Sequence, residues 1–195
     1  MSARRDDGYT LVEVLVSIGV VGVVMAALGL FFLQTTTAGR RQADEQTAAQ
    51  LTMAAMEQVS LLNGAALLQG RTQAAVQAQW RAPGVEAYLA AGETELVWSA
   101  EPAGPGAAAL PTAPEPVLIA GSPSKFSRSW YVGACWQPRR AGECVVVPAS
   151  QRPSRVPMYR VVIAVTWRSK DCASGLCSYT TATLVGAEQQ DPTFS

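Results

Sequence analysis

One carboxylate in an apolar run, four thiols and an uneven set of guanidinium groups are the residues able to do chemistry here, and histidine is absent. Glu13 stands near the head of a stretch that stays apolar to Leu33. A charged side chain at the centre of a bilayer helix costs about 2.5–3.5 kcal/mol on insertion scales, and such residues persist mainly where they have a partner or a function. Glu13 therefore needs a cation. Cleavage after Gly8 would supply one, because the new α-amino group would belong to Tyr9, one helical turn away.

The thiols point to cross-links rather than catalysis. Cys135 and Cys144 flank one expected turn and Cys172 and Cys177 another, so nearest-neighbour pairing is expected among three connectivities. Their C-x8-C and C-x4-C spacings lack the CxxC pattern of zinc or thioredoxin sites. Without histidine there is no His-based triad, no His metal ligand and no histidine pH switch. No nucleophile–base constellation and no phosphate loop stand out either. The expectation is a protein that is not an enzyme, with no cofactor and no metal, whose disulfides form in an oxidising compartment outside the cytoplasm.

Charge is balanced over the chain, 15 basic against 15 acidic residues, but not along it. Between Ala82 and Ser124 lie Glu86, Glu93, Glu95, Glu101 and Glu115 and no base; from Lys125 to Lys170 lie nine bases and one acid, Glu143. One reading is a basic face with Arg139 and Arg140 on a hairpin tip and Arg152, Arg155 and Arg160 nearby, for DNA or an acidic surface. Trp130, Tyr131 and Trp136 would add base stacking if exposed. The opposing reading is charge complementarity between neighbouring subunits, or solvated loops, with the aromatics in the core.

These groups must be carried by a small number of elements. Residues 9–33 form the expected membrane span, long enough against the roughly 20 residues needed to cross a hydrocarbon core. Arg4 and Arg5 precede it and Arg40 and Arg41 follow it, so the positive-inside count is a tie. Gly19, Gly22 and Gly29 read as sites of close packing between membrane helices. An amphipathic helix is expected over 34–68, weakened locally at Thr35–Thr37 and Gly39. Its apolar positions Ala48, Leu51, Ala55, Val59 and Leu62 recur at three- and four-residue steps, and Asn63-Gly64 is a candidate stop. Residues 69–124 read as a Pro/Ala/Gly-rich connection with short strands at Glu95–Ser99 and Val117–Ala120.

The remainder, 125–186, reads as a sheet. Lys125–Gln137 and Glu143–Val147 are expected to form one hairpin. Met158–Arg168 is the strongest strand, with Tyr159, Val161, Ile163, Val165 and Trp167 on one face, and Ser178–Val185 returns beside it. A short tail, 187–195, follows. The fold class is α+β: a long N-terminal helix, its first half in the membrane, packed against a C-terminal antiparallel sheet.

The hexapeptide Gly8-Tyr9-Thr10-Leu11-Val12-Glu13, set before that apolar run, resembles the class III signal of type IV prepilins and pseudopilins. The resemblance implies a leader over 1–8, cleavage after Gly8 by a membrane-embedded prepilin peptidase, and N-methylation of Tyr9. It also implies that Glu13 meets the amine of a neighbouring subunit and sets register. Tyr9 replaces the usual Phe, and Asp6-Asp7 dilutes the usual basic leader. In that family the span often unwinds around a proline, which this chain lacks there.

The runs Tyr159–Trp167 and Tyr179–Leu184, joined by a cysteine-bearing turn, are similar to the closing hairpin of V-type minor pilins and I-type pseudopilins. The expected function is thus a minor pilin acting in filament initiation. It would be held single-pass in the cytoplasmic membrane, N-terminus inside and C-terminal domain outside, before reaching the pilus and cell surface. Its expected partners are the peptidase, other pilins through the N-terminal helix, and the membrane. The alternatives are a pseudopilin of a type II secretion or DNA-uptake system and a membrane-anchored DNA- or surface-binding module.

Overall fold

The computed structural model describes residues 10–89, 93–99, 108–172 and 174–187. The leader over 1–8, Tyr9 and tail residues 188–195 lie outside them. The chain divides into two compact units, Met1–Asp44 and Glu45–Ser195. Helix α1, Leu11–Ser60, supplies its first part to one unit and its second part to the other.

In the first unit α1 is almost wholly apolar from Val14 to Leu33, and no described residue of that unit covers it. Leu11, Val23, Phe32 and Leu33 are all at least two-thirds exposed. The helix is long and apolar enough to cross a membrane. Thr35, Thr36 and Thr37 do not interrupt it. Their hydroxyls donate to carbonyls of the preceding turn, Phe31 O, Leu33 O and Gln34 O, each at 2.9 Å, and the helix continues unbroken.

In the second unit α1 buries a narrow stripe of small side chains, Ala48, Thr52, Ala55 and Val59. It stops at Ser60, so the single helix expected over 34–68 is broken. Asn63 acts as a start rather than a stop, because its side chain accepts from Ala66 N at 2.9 Å and caps α2, Gly64–Leu68. Helix α3, Gln73–Trp80, is capped in the same way by Thr72, and a 3₁₀ turn follows at Val85–Ala87. The connecting region therefore holds helices as well as the expected short strands.

Five antiparallel strands follow: β1 Glu95–Leu96, β2 Glu115–Ile119, β3 Ser122–Pro138, β4 Arg155–Arg168 and β5 Leu176–Gly186. Their order is β1-β3-β4-β5, with β2 also lying on β3. The turn from β2 to β3 places Ala120 at φ 50° and Gly121 at φ 80°, the left-handed pair that a two-residue hairpin requires.

The expected hairpin between 125–137 and 143–147 is not a ladder. A single bridge, Trp136↔Val145, joins those segments, and β3 instead pairs with β4 from Phe126↔Trp167 to Pro138↔Arg155. Pro138 and Pro148 bound the loop and lack the N–H donor a longer ladder would use.

Both faces of the central strands β3 and β4 are covered. On one, Trp130, Val132, Val161 and Ile163 pack with Ala55 and Val59 of α1, and further along Phe126, Val165 and Trp167 pack with Ala48 and Leu51. On the other, Tyr131, Val162 and Ala164 are covered by Val85, Tyr88 and Leu89. Gly133 admits β1 and α3 to the sheet: a Cβ there would lie 2.9 Å from Glu95 O and 3.0 Å from the Trp80 ring.

Candidate functional site

Of the expected processing residues, Gly8 and Tyr9 fall outside the described residues, and the described part of the motif begins at Thr10. Thr10 Oγ1 accepts from Glu13 N at 3.4 Å, and Thr10 O accepts from Glu13 N and Val14 N at 3.0 and 3.3 Å. Thr10-Leu11-Val12-Glu13 is thus also the S/T-x-x-E pattern of a helix start, a signal the motif itself contains. Glu13 lies in the first turn of α1, where a carboxylate is favoured by the positive end of the helix dipole. No described residue pairs with its carboxylate. Gly19, Gly22 and Gly29 have no described atom within 4 Å of an added Cβ, so each leaves an open notch on the helix.

The charge imbalance read from the sequence is resolved inside the fold. Arg152 bonds Glu95 Oε2 at 2.7 Å and Val147 O at 3.3 Å, with its guanidinium 3.9 Å from the Trp136 ring centroid. Arg160 pairs with Glu93 and donates to Cys144 O at 2.7 Å. Arg128 meets Glu115 at 3.3 Å and lies over Trp130, whose Nε1 donates to the same carboxylate at 3.2 Å. Arg155 reaches Trp136 O at 3.5 Å. The acidic stretch before β3 is the counter-charge of the basic sheet.

Of the five arginines expected to form a basic face, three are therefore engaged within the chain. Arg139 and Arg140 alone among them are exposed and have no ion pair among the described residues. Nor are the aromatics a stacking platform. Trp130 and Tyr131 are buried, and Trp136 is half-buried beneath Arg152.

The cysteines are joined as Cys135–Cys144 and Cys172–Cys177, with no free thiol. The first bridge closes the loop that carries Arg139 and Arg140; the second closes the β4–β5 turn. Among the described residues no cluster of potential ligands could hold a metal ion.

Arg71 carried no sequence signal, yet it is the most deeply buried charge. Its Nη1 donates to Leu110 O at 2.6 Å and its Nη2 to Gln79 Oε1 at 2.9 Å and Trp130 O at 3.4 Å, with no carboxylate partner among the described residues. Burial pushes its guanidinium down to about 10, so it is still charged at neutral pH. Arg71 ties the α2–α3 connection, α3, the Leu110 loop and β3 together.

No curated protein and no solved structure matches the chain. Residues 3–29 match the family model for the prokaryotic N-terminal methylation motif. That match, on a helix apolar enough to cross a membrane and with an α+β domain behind it, supports a type IV prepilin-like protein of a pilus or secretion system.

Proposed function

We infer that the chain is a minor pilin: a structural subunit made as a prepilin, cut after Gly8, methylated on Tyr9 and held in the cytoplasmic membrane until it enters a type IV pilus. The observation that carries this reading is the methylation-motif match over residues 3–29. Its support is the uncovered apolar part of α1, in which Glu13 has no described cation. Cleavage would create one on Tyr9 of the same or a neighbouring subunit.

Pairing that amine with Glu13 in low dielectric adds little net stability, but leaving either charge unpaired is costly, so wrong stagger is penalised. The disulfides suit a C-terminal domain outside the cytoplasm. A pseudopilin of a type II secretion or DNA-uptake machine would use the same chemistry. A secretion channel or a retraction ATPase encoded beside it separates the two. The membrane-anchored DNA-binding reading now rests on Arg139 and Arg140, and salt-sensitive binding lost on changing both would support it.

Intact-mass measurement of the protein from membranes of peptidase-positive and peptidase-deficient cells tests the proposal. The expected result is loss of residues 1–8 with gain of one methyl group only where the peptidase is present. Retention of residues 1–8 in both refutes it. Glu13→Ala should still be cleaved but enter filaments poorly, and normal incorporation would refute the registration role.

A further inference from the structure

Two turns of the second unit carry uncovered apolar side chains, and both lie at the end where the chain enters that unit. Ala55 and Val59 of α1 pack with Trp130, Val132, Val161 and Ile163, whereas Ala48, three residues after the unit begins at Glu45, packs with Phe126, Val165 and Trp167. The strands therefore run on toward the entering chain, and the β2–β3 hairpin and the β4–β5 turn close beyond the Ala48 level. The hairpin tip carries Leu118 and Ile119, 60% and 45% exposed, and the other turn carries Leu176, 48% exposed. Ala120 and Gly121 at positive φ set the first turn, and the Cys172–Cys177 bridge closes the second.

Bases stand between the two apolar points. Lys125 and Arg168 each lie one residue beyond Phe126↔Trp167, the end of the β3–β4 ladder, and Lys170 follows in the β4–β5 turn; all three are exposed. Over residues 118–125 and 168–176 the single acid is Asp171. On the entering chain Arg40 and Arg41 are balanced by Asp44 and Glu45, so the positive excess belongs to the turns.

We propose that this end of the unit docks on the surface of an anionic bilayer. Leu118, Ile119 and Leu176 enter the headgroup layer, and Arg168 and Lys170 meet lipid phosphates between them. The proposal rests on the reading that residues 11–33 span the membrane. Residues 34–44 then tether the unit to the bilayer, and on any course they reach at most about 40 Å. So short a tether keeps lipid at a high effective concentration, and it joins the unit at this same end. Apolar side chains set among bases are the chemistry of an interfacial anchor on anionic lipid.

A folded partner or a second copy fits less well. The apolar points sit on β2 and at the start of β5, three strand spacings or about 14 Å apart across the sheet. Three side chains so divided cover far less than the roughly 800 Å² that a stable protein interface buries on each side. A bilayer surface admits side chains singly.

The test uses the full chain in nanodiscs of phosphatidylglycerol or of phosphatidylcholine, each with a trace of phospholipid bearing a diazirine near its headgroup, and maps the photolabel by peptide mass spectrometry. In phosphatidylglycerol, label is expected on 118–125 and 168–176 as well as in 11–33. Arg168→Gln and Lys170→Gln, both at exposed positions, should each lower the label on the turns about fivefold, and phosphatidylcholine should lower it at least as much. The double change Leu118→Ser, Ile119→Ser should remove label from 118–125 while 11–33 stays labelled. Label in 11–33 without label on the turns overturns the proposal, as do equal labelling of the turns in the two lipids and turns cross-linked to a second copy in place of lipid. Absence of label from 11–33 overturns the spanning reading, and the proposal with it.

Discussion

Replacing Arg71 separates what its charge does from what its carbon stem does. In Arg71→Ala, Leu110 O loses its only donor among the described residues, whereas Trp130 O keeps Gln79 Nε2 at 2.9 Å. One buried acceptor left bare costs about 1–3 kcal/mol. The two lost methylenes, Cγ and Cδ, add about 0.8 kcal/mol each, giving a total of about 3–5 kcal/mol. Arg71→Met leaves Leu110 O equally bare and removes the same buried cation, one of whose nitrogens, Nε, has no partner among the described residues, but it fills the stem's volume. Its loss should be about 1–3 kcal/mol, that of the bare acceptor without the stem. Guanidinium denaturation of the full chain in detergent, followed by tryptophan fluorescence, measures both variants. The expected order is parent, then Met, then Ala, with about 1–2 kcal/mol between the two variants. A Met variant less stable than the Ala variant refutes the reasoning, as do two variants within about 0.5 kcal/mol of the parent, the range of ordinary surface changes.

Two tyrosines give an alkaline limit. Burial pushes the Tyr131 phenol up, with a lowering contribution from its Ser129 hydrogen bond and a further rise from Tyr88, and burial also pushes Tyr159 up. A raised folded value means the unfolded chain gives up its protons first. Stability is therefore full below about pH 10 and falls as pH rises through the folded values. The thermal midpoint should drop in that window and do so less in the doubly substituted Tyr131→Phe, Tyr159→Phe chain; equal drops would refute the assignment. Gly133→Ala should cost about 1–3 kcal/mol in the same denaturation measurement, since its Cβ meets the Thr94 methyl, Glu95 O and the Trp80 ring. An unchanged midpoint would show that β1 and α3 can withdraw freely.

The elements most legible in the sequence are those whose side-chain period is long and uninterrupted. Tyr159, Val161, Ile163, Val165 and Trp167 alternate over a whole strand, and their return partner lies within a short turn, so β4 and β5 could be read directly. The stripe Ala48–Val59 announced the packed part of α1, though not its end. Asn63 is equally good as the stop of one helix and the cap of the next, and only the chain that follows decides.

The cover over the sheet's second face was not legible, because Val85, Tyr88 and Leu89 belong to a 3₁₀ turn too short to show a period. The partner of β3 was misread for a related reason. Cys135 and Cys144 mark a tight loop, and a tight loop looks like a hairpin, but the long apolar ladder with β4 outweighs a few valines beside a proline. The arginine cluster illustrates a third limit. Counter-charges 13 to 67 residues away along the chain, such as Glu115 with Arg128 and Glu93 with Arg160, cannot be matched before the topology is known. Of the candidate site, the processing motif was legible because its residues are contiguous.

Both disulfides join neighbours, nine and five positions apart, and each lies within one connection of the sheet. Oxidation can therefore proceed in two independent, local steps. The nearer thiol is the one met most often by a flexible chain, because loop closure favours short separations. Strands β3, β4 and β5 are likewise consecutive, so the sheet's largest interfaces form between segments that follow one another along the chain. A chain already anchored by its first helix could thus complete its cross-links strand by strand, with little opportunity for mispairing and little need for a catalyst to rearrange them.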